Sequence, residues 1–325
     1  MARAWLPPLA LLLAYGVAFA ARALGTGLLV FDDHPGQIYR LWHVTTGGAA
    51  PWAWNPGWWT GYPELQFYPP GFAYAGALLH LGTLGVVSIE TAYRTLLWLA
   101  YLLPGLTAFL ALARLTGSGW LALPGAFLAL AFAGGTSGVE GGVRTGMVGA
   151  RLASWLAVPI VAAIVLLHPA ELPAAVVLLA LAALVAVPRV ARLATAGVML
   201  ALAAAVTAFW WLPLLFRLAH TRALAWGDPP ALGGFGALLA LVALLALRRA
   251  RTAGPAALVV ALFPWAMAIV TLIDWGVLEP LGLRWLPANR VVDGAWIAVI
   301  LAAGLGWSSL QGWTFRRSPV LLGLG

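Results

Sequence analysis

The chain alternates long apolar runs with short polar punctuation. Runs rich in Leu, Ala and Val begin near Trp5, Phe72, Thr91, Trp120, Leu152, Leu172, Leu193, Leu232, Ala256 and Val291, which makes ten candidate helices. Most last roughly 16 to 25 residues, the length a helix needs to cross hydrocarbon, several are shorter, and none shows the strict alternation of a barrel strand. The pattern predicts an all-α, polytopic integral membrane protein with about nine or ten transmembrane helices. The first run, 5–30, reads as a helix and not a cleaved leader, because only Arg3 precedes it and the apolar stretch is too long. The run at 72–85 is short and follows Pro69-Pro70-Gly71, as an interfacial helix would. No repeat of fixed period is evident, and the tail after the last run is too short for a folded module, so residues 1–325 read as one transmembrane domain.

One island breaks this pattern. Residues 31–71 hold three of the ten acidic residues and five of the eighteen tryptophans, in FDDHPGQIYRLWHVTTGGAAPWAWNPGWWTGYPELQFYPPG. Within it Ile38, Leu41 and Trp42 fall at helical spacing, with Gln37, Arg40 and His43 among them, which predicts an interfacial helix over 36–44.

Composition narrows the class. At 63% hydrophobic and 9% charged, the chain has more apolar surface than one globular core can bury. The absence of cysteine excludes disulfides, thiolate metal sites and Cys nucleophiles, and the absence of lysine excludes Schiff-base and P-loop chemistry. The net charge of +8 comes from arginine alone. Clusters at Arg189 and Arg192, at Arg248, Arg249 and Arg251, and at Arg316-Arg317 punctuate apolar runs, so they mark cytoplasmic turns and not a nucleic-acid surface. Segments 31–71, 214–230 and 274–290 then face outward, which places the island on the extracytoplasmic face of the cell membrane.

The island carries the candidate chemistry. Asp32 and Asp33 stand where the first apolar run leaves the bilayer; one carboxylate can act as general base or metal ligand while the other orients it. The competing reading is a turn or helix cap, since His34-Pro35-Gly36 is a strong turn signal. Arg40 is placed to meet a phosphate, or to neutralise the nearby aspartates or lipid headgroups. The Trp and Tyr residues suit both a membrane interface and the apolar face of a sugar, and Glu64 and Gln66, flanked by Tyr62 and Tyr68, add polar groups in a proline-stiffened loop. Neither His34 nor His43 has a His-x-x-x-His partner, which argues against zinc.

Asp32-Asp33, Gly61-Tyr62-Pro63 and Phe67-Tyr68-Pro69-Pro70 resemble the GT-C superfamily of membrane glycosyltransferases, most closely the membrane proteins named as 6-pyruvoyl-tetrahydropterin synthase-related. Ala92-Tyr93-Arg94, the ARLTG of 113–117, Trp210-Trp211-Leu212-Pro213 and Pro287-Ala288-Asn289-Arg290 extend the likeness over most of the chain. The resemblance implies transfer of a sugar from a polyprenyl-phosphate donor to an acceptor at the outer face. It implies Asp33 or Asp32 as base or metal ligand, and Arg290, with Arg222 second, at the carrier phosphate. It also allows Glu140 to join the aspartates in holding a divalent cation. Members are commonly longer and carry a soluble domain, which leaves the alternative of a non-catalytic subunit that binds lipid or a protein partner through the same loop.

Overall fold

The structure, a computed structural model, describes residues 2–25, 27, 29–57, 60–131, 165–166, 169–217, 233–283 and 288–317; side chains are described for these apart from 2, 3, 233–235, 251, 288–290 and 311–317. The fold is 82% helical, with no strand among the described residues. Five helices are long and apolar enough to cross a membrane: α1 (Leu6–Leu24), α5 (Ile89–Thr116), α8 (Arg189–Phe216), α11 (Pro255–Ile273) with the π turn that continues it to Leu278, and the 291–310 part of α12 (Ala288–Arg317). The shorter helices are α2 (His34–Thr46), α3 (Glu64–Phe67), α4 (Gly71–Gly82), α6 (Gly119–Ala131), α7 (Leu172–Val185), α9 (Gly233–Leu244) and α10 (Ala246–Ala253).

The described residues therefore supply five helices of spanning length where the apolar pattern predicts nine or ten. Four of the expected runs, at Phe72, Trp120, Leu172 and Leu232, are described as helices of 12 to 14 residues. The run at Leu152 lies outside the described residues. The helix expected over 36–44 is present as α2, slightly longer than the spacing indicated.

The core is built around α5. Its boundaries follow from its sequence: the Ser88 hydroxyl accepts the Thr91 N–H at 3.1 Å, Glu90 occupies the positive first turn, and Gly117 ends the helix in the left-handed conformation at φ 77°. Tyr93, Leu97, Tyr101, Phe109 and Leu112 are all fully buried along its length. A second contact draws α6 against α12. A Cβ on Gly125 would sit 2.7 Å from the Gly304 Cα, so only hydrogen allows the backbones this close.

Helix ends sort the charges. Trp210, near the end of α8, contacts α3, which puts Arg189 at the opposite end of the molecule. Gly119 packs on Trp5 and Pro8, so the start of α6 and of α1 share that opposite end. Gly294 meets Ala174, placing the starts of α12 and α7 together. The loop end is closed by Arg94, whose Nη1 donates to the Gly25 carbonyl at 2.7 Å and to the Leu24 carbonyl at 3.4 Å while Nη2 donates to Glu90 at 3.0 Å. A cation on the last carbonyls of α1 satisfies groups the helix leaves open and faces its negative dipole end.

Candidate functional site

The 31–71 loop folds as α2, an irregular return and α3, laid over the ends of α1, α4 and α5. Helix α2 presents His34, Gln37, Leu41 and Val44 on its buried face, the i, i+3, i+7 spacing of one helical stripe. Leu41 fills the space that Gly76 leaves on α4, where any Cβ would lie 2.8 Å from its methyl carbons.

The polar residues of that face join one network. His34 Nδ1 and the Tyr93 hydroxyl are 2.7 Å apart, both fully buried, so the start of α2 is fixed to α5. One turn on, Gln37 donates to the Tyr68 hydroxyl at 2.7 Å. The Arg40 guanidinium lies over the Tyr68 ring, 3.8 Å from its centroid, and its Nε donates to Glu64 Oε1 at 2.7 Å. Asn55 Nδ2 donates to the other Glu64 oxygen at 2.7 Å, and Asn55 Oδ1 accepts from the Tyr39 hydroxyl at 2.7 Å and from the Gly57 N–H at 3.1 Å. Glu64 thus has both oxygens occupied at 1% exposure, with Arg40 at 12%. A carboxylate this buried is tolerable only because a cation and an amide answer it.

The return strand locks the same residues from the backbone side. Asn55 and Tyr62 exchange N–H···O bonds of 3.0 and 3.1 Å, and Gly61, at φ 92°, has the Trp54 indole where a side chain would stand. Burial pushes the Tyr62 phenol above its ordinary value, Glu64 adds to the rise and Arg40 opposes it. Tyr74 donates to the Ala49 carbonyl at 2.6 Å, and burial pushes its phenol up to about 12. At α3 the anchoring is reciprocal. Gln66 donates to the Trp210 carbonyl and the Trp210 indole donates to the Leu65 carbonyl, each at 2.9 Å, which ties the loop to α8.

Against this paired interior the rim is open. Asp32 and Asp33 are both exposed, and no hydrogen bond or ion pair reaches either carboxylate among the described residues. Asp32 has φ 48°, a left-handed conformation that Asp tolerates better than most residues. Asp33 occupies the position before α2 and its carbonyl accepts the Gln37 N–H at 3.1 Å, yet its side chain makes no cap. The cap reading thus describes its position and not its carboxylate, which stays available within electrostatic reach of Tyr93 and beside the positive end of α2. Around the same rim Trp52 and Trp54 are 59% and 60% exposed, and Phe31 and Trp42 expose nearly half their surface.

The structure therefore divides the residues the sequence grouped together. Asp32 and Asp33 stand on the rim; Arg40, Glu64 and Gln66 are turned inward and hold the loop's shape; Tyr62 and Tyr68 lie half-buried between them. Arg222 and Glu140 lie outside the described residues, as does the side chain of Arg290 in the first turn of α12. Among the described residues no group of three or more His, Asp or Glu side chains is placed to hold a metal ion. Sequence reasoning did not single out Asn55, Tyr39 or Tyr93 as site residues. Asn55-Pro56-Gly57 carries a turn signal, and the Asn55 oxygen does accept the Gly57 N–H as such turns require, but nothing local announces Glu64 as its second partner.

No protein-family model matches the chain, and no curated protein matches it in sequence.

Proposed function

We propose that this is a polytopic membrane glycosyltransferase, taking a sugar from a polyprenyl-phosphate donor and transferring it at the extracytoplasmic face. The observation that carries the reading is the contrast within the loop: two exposed aspartates stand on a frame whose other charged groups are internally paired. Such a frame holds a catalytic group still without competing for its proton. The GT-C-like motifs around it and the apolar helices beneath it agree with a lipid-linked substrate presented from the bilayer.

In this mechanism the Asp33 carboxylate accepts the proton of the acceptor hydroxyl as that oxygen bonds to the anomeric carbon. The bond from that carbon to the phosphate oxygen breaks, and its electron pair leaves on the polyprenyl phosphate. Asp32 orients the acceptor or shares the charge. The exposed indoles of Trp52 and Trp54 offer apolar faces for a pyranose ring. Arg290 and Arg222 are the proposed phosphate contacts, stabilising charge that develops on the leaving group.

The test is transfer from a labelled polyprenyl-linked sugar in membranes carrying Asp33→Asn. Loss of turnover at unchanged protein level is expected; unchanged turnover rejects the assignment. A second reading, a non-catalytic subunit of the same fold, draws on the inward commitment of Arg40, Glu64 and Gln66, which leaves fewer polar groups for a substrate. It predicts that the doubly substituted Asp32→Ala, Asp33→Ala protein still assembles and functions.

A further inference from the structure

The end of the molecule away from the aspartates carries arginines that form no ion pair among the described residues. Helix α9 gives way at Leu245 to α10, ALRRARTA, whose Ala246 and Ala250 are buried while Arg248 is exposed. The break is tight: Leu245 N–H bonds to the Val242 carbonyl at 3.1 Å, and Arg248 and Arg249 N–H both reach back to the Leu245 carbonyl, at 3.1 and 3.4 Å. Gly306 of α12 presses into this break, where a Cβ would collide with the Val242 carbonyl.

Two donors are left without partners at this junction. Among the described residues, Arg249 Nε is buried and makes no hydrogen bond, and neither does the buried hydroxyl of Ser309, one turn beyond Gly306 on α12. A buried guanidinium N–H with no acceptor costs stability unless something else supplies one. No acid is near in sequence, since none of the ten acidic residues falls between Asp228 and Asp274. Asp274 lies at the far end of α11, and Asp293 lies toward the start of α12, with Gly294 and Ala174. A short helix that buries Ala246 and Ala250 and exposes Arg248, joining two apolar helices, has the form of a segment lying at a bilayer surface.

We propose that Arg248, Arg249 and Ser309 bind the phosphate of an anionic phospholipid headgroup at the α9–α10 break. The exposed Arg248 supplies charge, while Arg249 and Ser309 supply the directed donors that bulk headgroup attraction lacks. The inference rests on membrane embedding and not on glycosyl transfer, so failure of the transfer assay leaves it standing.

The experiment uses the full chain purified in neutral detergent, with phosphatidylglycerol or phosphatidylcholine added at equal concentration and retained lipid counted by native mass spectrometry. Wild type is expected to retain phosphatidylglycerol roughly tenfold over phosphatidylcholine. Arg248→Gln and Arg249→Gln should each cut that preference, and Ser309→Ala should weaken it further, whereas Arg114→Gln, an exposed arginine in the last turn of α5, should not. Arg249→Lys guards against misfolding: it keeps the charge and should retain part of the preference. Equal retention of the two lipids by wild type, an unchanged preference in both Arg→Gln variants, or loss of phosphatidylglycerol to millimolar inorganic phosphate overturns the proposal.

Discussion

Asp33 and Glu64 are two carboxylates of one loop with opposite fates. Glu64 is buried, with one oxygen on Arg40 and the other on Asn55, both at 2.7 Å. Asp33 is exposed at the start of α2 with no partner on its side chain among the described residues. The difference teaches that two carboxylates of one loop can be placed for separate uses, Glu64 to hold the loop's shape and Asp33, on the proposed function, for chemistry. Each should fail in its own way when removed.

The strongest way to break the comparison is to exchange their roles. Asp33→Asn should lower transfer by about a hundredfold to ten-thousandfold, the usual contribution of a general base, with the thermal midpoint in detergent unchanged. A shift in midpoint would make Asp33 structural and erase the contrast. Glu64→Ala should do the reverse, leaving the mostly buried Arg40 guanidinium without its carboxylate at a cost of about 3–5 kcal/mol, read by limited proteolysis of the 31–71 loop. The double variant Arg40→Met, Glu64→Leu should recover most of that loss, because no orphaned charge remains.

Two smaller perturbations sharpen the same distinction. Gly57→Ala drives a methyl into the Tyr39 hydroxyl and, by pushing Tyr39 off Asn55, should cost about 1–3 kcal/mol without touching Asp33. Alkaline titration gives the mildest test. The folded Tyr74 phenol sits at about 12 against an ordinary 10.0, so the folded state holds its proton longer than the unfolded chain. Its contribution is intact below pH 10 and is lost as pH rises through about 12, and Tyr74→Phe should flatten that part of a tryptophan-fluorescence stability profile.

Local patterns carried much of the fold. The spacing of Ile38, Leu41 and Trp42 indicated α2, and the apolar runs indicated α1, α5, α8, α11 and α12, because helical burial repeats along the chain where a single sequence can display it. The candidate site's exposed rim was legible, its paired interior was not. Asp32 and Asp33 were marked by an acidic pair at the end of an apolar run, which is a local signal. The roles of Arg40, Glu64 and Gln66 were not, since each depends on a partner far along the chain, Trp210 for Gln66 being the extreme case. Arg94 shows the same limit. In sequence it is one charge near a helix start, whereas in the fold it seals the carbonyl end of α1.

The glycine contact between α6 and α12 bears on how the protein is made. Gly125 and Gly304 lie far apart in the chain, and the space beside each is filled by the other's backbone together with a Leu112 methyl. While a ribosome is still synthesising the second half, the α6 side of that contact has no α12 backbone to cover it. The last helix is therefore a keystone of biogenesis as well as of packing: translation arrested before α12 should yield a protein that quality-control proteases remove, even though the loop with its aspartates has long since emerged.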